Sequence, residues 1–232
     1  MSTAAAKPRV LVCDDEQQIL RALRVILRDA GFEALPASTM EEALDVAAVG
    51  RPDAAIIDLV LPDGDGIELC RRLREWSEMP LIVLSAVGDE DAKVRALAGG
   101  ADDYVTKPFG PRELIARLQA NLRRMNPGGE DAVITAQGLV LDLARHVVTV
   151  GGEEVHLTPT EFELLRALAR NQGRLMTHRE LLVSVWGAGY GDDTQVLRAH
   201  IANLRRKLEP ADGERGHGII RTESGVGYRF VA

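Results

Sequence analysis

The chain has 232 residues, of which 46% are hydrophobic and 27% charged, so it can bury a sizeable core and general disorder is excluded. Aromatic residues make up only 4%, too few for a surface that stacks single-stranded nucleic acid or sugars. The net charge of −7 argues against a nucleic-acid partner until it is divided: residues 1–130 hold 16 Lys+Arg against 22 Asp+Glu, the remainder 12 against 13.

From Arg9 to Arg124, short β-rich apolar runs alternate five times with amphipathic stretches of helical length. The runs are Val10 to Cys13, Phe32 to Leu35, Ala54 to Ile57, Leu81 to Leu84 and Tyr104 to Thr106. Between the first two, Ile19, Leu23, Ile26 and Leu27 share one helical face, and Gly31 ends that helix. Five such units predict an open, doubly wound parallel sheet with helices on both faces, and ligand chemistry at the carboxyl ends of its strands. This first domain is expected over 1–124. Asn126, Pro127, Gly128 and Gly129 mark a short linker over 125–131.

A smaller α+β domain follows over 132–232. Val133 to Leu157 reads as an antiparallel meander turning at Gly151-Gly152. Thr158 with Glu161, and Thr177 with Glu180, fit capping boxes that start two helices, the first with Pro159 in its opening turn. A third helix runs from about Thr194 to Leu208, and a hairpin spans Ile219 to Val231 around Gly225 to Gly227. Strands, three helices and a closing hairpin predict a winged helix. No apolar run approaches the roughly 18 residues of a membrane span, and Met1 to Lys7 is too short for a secretory signal, so a cytosolic protein without membrane insertion is expected. Cys13 and Cys70 have no metal-ligand spacing and read as small core residues.

An aspartate at one strand end is ordinarily a turn or cap. Here Asp14 and Asp15 follow the first run, Asp58 the third, Ser85 the fourth and Lys107 the fifth, so a parallel sheet brings all of them to one rim. Clustered carboxylates repel, and the trio is tenable at neutral pH if a hard cation sits among them or some pKa values rise. Mg²⁺ suits such oxygen donors. With Lys107 and a metal neutralising developing charge, Asp58 is a nucleophile toward phosphorus.

The series VLVCDDE, IIDLVLPDGDGIE, IVLSA, GADDYVTKPF and GVGYRF, in this order and over nearly the whole chain, resembles two-component response regulators: a flavodoxin-like receiver joined to a DNA-binding domain of the OmpR/PhoB type. The resemblance implies that Asp58 accepts a phosphoryl group from a sensor histidine kinase, and that Asp14, Asp15, Asp58 and the backbone carbonyl of Val60 hold Mg²⁺. It further implies that Ser85 and Lys107 bind the phosphate, that Tyr104 is an aromatic switch, and that Lys107-Pro108 is cis. A phosphorylation-dependent homodimer is implied through the surface carrying Lys93, Asp102, Asp103, Glu113, Arg117 and Arg124, whose charges suit crossed ion pairs. Such exposed pairs contribute only about 0–1 kcal/mol each, so Leu97 and Ile115 are expected to contribute more. Promoter DNA and RNA polymerase are the implied output partners. Within the family, LPDGDGIE, EVHLTPTEF, TQVLRAHIANLRRKLE and TESGVGYRF are similar to regulators of potassium-uptake operons, whose partner is a membrane histidine kinase.

On the third C-terminal helix Leu197, Ile201, Leu204 and Leu208 form the core face, and the opposite face collects Arg198, Ala199, Ala202, Asn203 and Arg206. Arginine and asparagine read guanine and adenine edges, and two alanines admit a close backbone. Arg205, Lys207 and His200 lie toward the flanks, where phosphates are expected. The hairpin reads Arg221-Thr222-Glu223-Ser224, with an acid and a serine where the family's wing carries an arginine, so Arg221, Thr222 and Arg229 are expected on phosphate rather than in the minor groove. Val60 and Val87 flank the path of an attacking water and cannot hydrogen-bond it, so slow self-dephosphorylation is expected, from a phosphoryl acceptor and not an enzyme. Two other classes compete. A phosphatase forming an aspartyl-phosphate needs Asp-x-Asp at the nucleophile, and Asp58-Leu59-Val60 lacks it, while Asp63-x-Asp65 lies beyond the strand. A receiver with a protein-binding output would show no sequence-specific DNA binding.

Overall fold

A computed structural model describes residues 7–86, 90–124, 133–187, 190, 193–208 and 218–231. The chain divides into two compact units, 1–122 and 123–232, and the expected linker at 125–131 lies outside the described residues. None of the described helices is long and apolar enough to cross a membrane.

In the first unit the order is β1 (Arg9–Cys13), α1 (Gln17–Asp29), β2 (Glu33–Ala37), α2 (Met40–Gly50), β3 (Ala54–Asp58), the small hairpin β4 (Val60–Leu61) and β5 (Gly64–Asp65), and α3 (Gly66–Arg74). Then come β6 (Leu81–Ala86), α4 (Glu90–Ala98), β7 (Asp103–Lys107) and α5 (Pro111–Arg124). The five long strands pair in parallel in the order β2-β1-β3-β6-β7, so the chain reverses direction across the sheet next to β1 and opens a crevice at the carboxyl ends of β1 and β3. Val10, Val12, Ile56, Ile82, Leu84 and Val105 point to one face and pack with Leu20, Leu23 and Leu27 of α1 and Leu114 and Leu118 of α5. The alternate residues Leu11, Ala55, Ile57 and Val83 are equally buried, as a sheet covered on both faces requires. On α1 the core face centres on Leu20, Leu23 and Leu27, with Ile19 and Ile26 at its edge.

In the second unit β8 (Val133–Ala136), β9 (Leu139–Asp142), β10 (Val147–Val150) and β11 (Glu153–Glu154) form an antiparallel meander. It is followed by α6 (Pro159–Arg170), β12 (Leu175–Thr177), α7 (His178–Trp186), α8 (Thr194–Leu208), β13 (Ile220–Glu223) and β14 (Gly227–Phe230). Both capping boxes form: Thr158 and Glu161 exchange bonds of 2.9 and 3.3 Å at the start of α6, and Thr177 and Glu180 bonds of 2.8 and 3.1 Å at the start of α7. The buried stripe Leu197, Ile201, Leu204 and Leu208 seats α8 against α6 and α7. The hairpin β13–β14 pairs on through β12 in a three-stranded sheet. Gly227 is required there, because a Cβ would lie 1.9 Å from the Met176 carbonyl oxygen. This is the winged-helix arrangement.

Candidate functional site

The parallel register carries Cys13 opposite Ile57, Asp58 opposite Leu84 and Ser85 opposite Thr106, so the residues that leave each strand meet at one rim. Lys107 Nζ stands 2.8 Å from Asp14 Oδ2 and 2.9 Å from Asp58 Oδ2, bridging groups 93 and 49 positions away in sequence. Asp14 is fully buried, Asp58 nearly so, and Asp15 exposed. Carboxylate oxygens of the three acids lie within 4.8 Å of one another. Burial raises the Asp58 pKa, against the pull of the Lys107 ammonium, while Asp14 adds repulsion. Burial alone would lower the Lys107 pKa, yet the hydrogen bonds it donates to both carboxylates hold it above its ordinary value. This set of hard oxygen donors, crowded and partly desolvated, fits a small divalent cation.

Two further features complete the rim. Ser85 Oγ is buried and has no hydrogen-bond partner among the described residues. Gly66 follows the acceptor loop and donates to Leu59 O at 2.8 Å; a Cβ there would fall 2.0 Å from the Asp58 carbonyl oxygen, so only glycine permits α3 to start this close to Asp58. Lys107-Pro108 is cis. Tyr104 is buried, with Lys93 Nζ 4.8 Å from its ring centroid. Val60 opens β4 with its side chain exposed, and Val87 lies outside the described residues. The acids of Asp63-x-Asp65 serve as caps: Asp63 accepts from the Met40 and Glu41 amides and Asp65 from the Ile67 amide.

The α4–β7–α5 surface differs from expectation. Asp102 and Asp103 are fully buried, Asp102 against the Arg74 guanidinium and the Leu81 amide, Asp103 against Arg117 at 3.1 Å and Asn121. Arg117 also pairs with Glu113 at 2.9 Å inside the same chain. Leu97 is core, and Ile115 packs partly buried on the core cluster. The buried acids therefore complete the fold of one chain and do not lie open for crossed pairs, leaving Lys93, exposed Glu113 and the unanticipated Val94, 45% exposed, on this face; the Arg124 side chain lies outside the described residues. Arg74, missed in the sequence, closes α3 onto the Gly100, Ser77 and Met79 carbonyls as well. Its place in the last turn of a predicted helix was the available signal.

The face of α8 is also narrower than its periodicity predicts. Arg198, Ala202 and Arg206 are exposed and Ala199 is half-buried, but Asn203 is 4% exposed and accepts from Arg206 at 3.1 Å. Arg205 turns to the hairpin, donating to Ile220 O at 2.7 and 3.1 Å and to Thr222 Oγ1 at 2.8 Å. Lys207 reaches the buried Glu161 carboxylate at 2.6 Å, and His200 is buried beside Trp186. Arg229 pairs with Glu223 at 3.3 Å. Arg221 and Thr222 are exposed.

The family model of the response regulator receiver domain matches residues 10–119, and that of the C-terminal domain of transcriptional regulatory proteins matches 152–230. The transcriptional regulatory protein KdpE of Mycobacterium tuberculosis H37Rv is 51% identical over 225 residues, covering 96% of this chain and 99% of its own. The KDP operon transcriptional regulatory protein KdpE of Escherichia coli K12 is 47% identical over 223 residues, covering 96% and 98%. The crystal structure of DrrB, an OmpR/PhoB homologue from Thermotoga maritima, is 31% identical, covers 98% of this chain and all of its own, and superposes with a TM-score of 0.52.

The chain belongs to the OmpR/PhoB family of two-component response regulators. In this regulator the acidic rim lies in the receiver domain, the domain type that takes its signal from a histidine kinase, and α8 with the β13–β14 hairpin lies in the domain that binds promoter DNA.

Proposed function

We propose that the regulator is phosphorylated on Asp58 by a KdpD-like sensor histidine kinase and thereby controls promoters of potassium-uptake genes. The observation that carries the reading is the single rim on which Lys107 bridges Asp14 and Asp58 beside the unpartnered Ser85 hydroxyl. In the transfer, an Asp58 carboxylate oxygen forms a bond to phosphorus as the bond from phosphorus to the kinase's histidine nitrogen breaks. Asp14, Asp15, Asp58 and the Val60 carbonyl would hold Mg²⁺. Bound there, the ion would supply positive charge for the phosphoryl oxygens.

Phosphorylation adds close to one further negative charge and several acceptors at Asp58. Lys107 is already in place to pair with them, and Ser85 Oγ, which has no partner among the described residues, gains one. Movement of Ser85 alters the space next to Tyr104, and so the α4–β7–α5 face, through which two copies associate. Exposed Val94 and Glu113 and the Lys93 ammonium are the groups that face offers. Pairing doubles the phosphate contacts made by Arg198, Arg206, Arg221 and Thr222, and brings the DNA-bound regulator to RNA polymerase in the cytoplasm. The Val60 side chain has no polar group to orient water, which supports slow self-dephosphorylation and a role as phosphoryl acceptor, not enzyme.

Acetyl phosphate with Mg²⁺ should leave an acid-stable, hydroxylamine-labile label on the wild type and none on Asp58→Ala. Genome-wide mapping of bound DNA should then lose its potassium-uptake promoters in the same variant. Labelling of Asp58→Ala equal to wild type would refute the acceptor assignment, and unchanged occupancy would refute its coupling to DNA.

A further inference from the structure

The β4–β5 hairpin carries Val60 at its start and is fixed at both ends. At its base, Gly66 N–H donates to Leu59 O at 2.8 Å and Asp65 accepts from Ile67 N–H at 2.8 Å. At its tip, the Asp63 carboxylate leaves the hairpin and forks onto α2: Oδ1 accepts from Met40 N–H at 2.8 Å and Oδ2 from Glu41 N–H at 3.1 Å. These amides open α2, where backbone donors have no partner within the helix, and a carboxylate is favoured there by the helix dipole. Thr39, the N-cap, serves a different amide, that of Glu42, at 3.1 Å. The same turn is tied back to the end of β1, by Cys13 Sγ to Thr39 O at 3.5 Å and by Asp14 N–H to Ala37 O at 3.1 Å. The Asp63 fork thus links three segments that border the acid cluster: the end of β1 with Asp14 and Asp15, the start of α2, and the hairpin with Val60.

We propose that Asp63 is a positioning residue for the cation site, touching neither cation nor phosphate but fixing on α2 the hairpin that presents the Val60 carbonyl. The proposal rests on the cation reading given above. It differs from a plain helix cap in what it predicts, because Thr39 caps the same helix from its own turn and does not hold the hairpin. Groups that orient ligands without touching the metal typically change its affinity by about 10–100-fold when removed.

The test titrates MgCl₂ into the full-length chain and follows amide chemical shifts of Asp14 and Asp15, with the melting temperature of each variant in EDTA alongside. Asp63→Ala should weaken Mg²⁺ by about tenfold or more. Thr39→Ala should leave it within about twofold of wild type while lowering the melting temperature as much, since each removes a capping side chain. Asp63→Asn keeps one acceptor oxygen, guards against a folding defect in the alanine variant, and should fall between. Wild-type affinity in both Asp63 variants, or equal weakening by Thr39→Ala, would overturn the proposal while the cation reading stood. A wild type with no saturable shift at Asp14 and Asp15 would remove the cation reading and the proposal together.

Discussion

The two rims of the receiver sheet bury charge in opposite ways. At the amino rim, Asp102 sits before β7 and Asp103 begins it, and each fully buried carboxylate meets a guanidinium, Arg74 or Arg117, plus an amide donor from Leu81 or Asn121. At the carboxyl rim, three carboxylates crowd together with the Lys107 ammonium between two of them, and the buried Ser85 hydroxyl has no partner among the described residues. The first arrangement tolerates no missing member. The second gathers more carboxylates than cations among the described residues, a donor set that suits a divalent cation. Buried charge marks function where its compensation is incomplete, and architecture where each acid has its own cation.

Removing a guanidinium from the amino rim should have the largest effect. Arg74→Ala leaves Asp102 buried without its cation and strips donors from three carbonyls, so it should cost about 3–5 kcal/mol in urea denaturation of the receiver. A loss below about 1 kcal/mol would break the contrast.

Neutralising the carboxyl rim should act in the opposite direction. The folded-state pKa of Asp58 is raised by burial, so the native protein binds more protons than the unfolded chain between the ordinary value of 3.8 and the raised one, and stability falls as pH rises through that window. Asp58→Asn should therefore melt a few degrees above wild type at pH 7 in EDTA, the gap closing below pH 3.8 and narrowing when Mg²⁺ is added. A destabilised Asp58→Asn at neutral pH would show instead that Lys107 dominates.

Ser85→Ala should change stability least, by less than about 1 kcal/mol, because its hydroxyl makes no hydrogen bond among the described residues. The same change should reduce the gain in operator affinity on phosphorylation by about tenfold, the worth of one hydrogen bond to a charged group. Equal operator affinity gains in wild type and variant would take Ser85 out of the switch.

Much of this was legible in the chain. The five apolar runs fall within one or two residues of the five strands; the central β1, β3 and β6 are buried on both faces and so read as continuous apolar runs, while the edge strand β2 is mostly exposed or half-buried and is the least exactly bounded. Both capping boxes and the bounds of α8 are local chemistry and form as read. The acidic rim was legible because parallel topology forces strand ends together. What could not be read was the choice of partner for long side chains. Arg205 and Lys207 lie on the flank where phosphate was expected, yet one secures the wing hairpin and the other a carboxylate 46 positions earlier. Asn203 lies on the polar side by helical angle but is covered in the fold.

The sequence by itself determined the order of elements, the two domains' classes and the rim at which Asp14, Asp58, Ser85 and Lys107 meet, since periodicity, caps and parallel register are set by neighbours along the chain or by topology. Only the tertiary structure decided which charges are spent inside the molecule: Asp102 on Arg74, Asp103 on Arg117, Glu161 on Lys207, Asp63 on the start of α2. The reason is reach and desolvation. A flexible charged side chain has many partners within its length, and which one it takes depends on which carboxylate the packing has deprived of water.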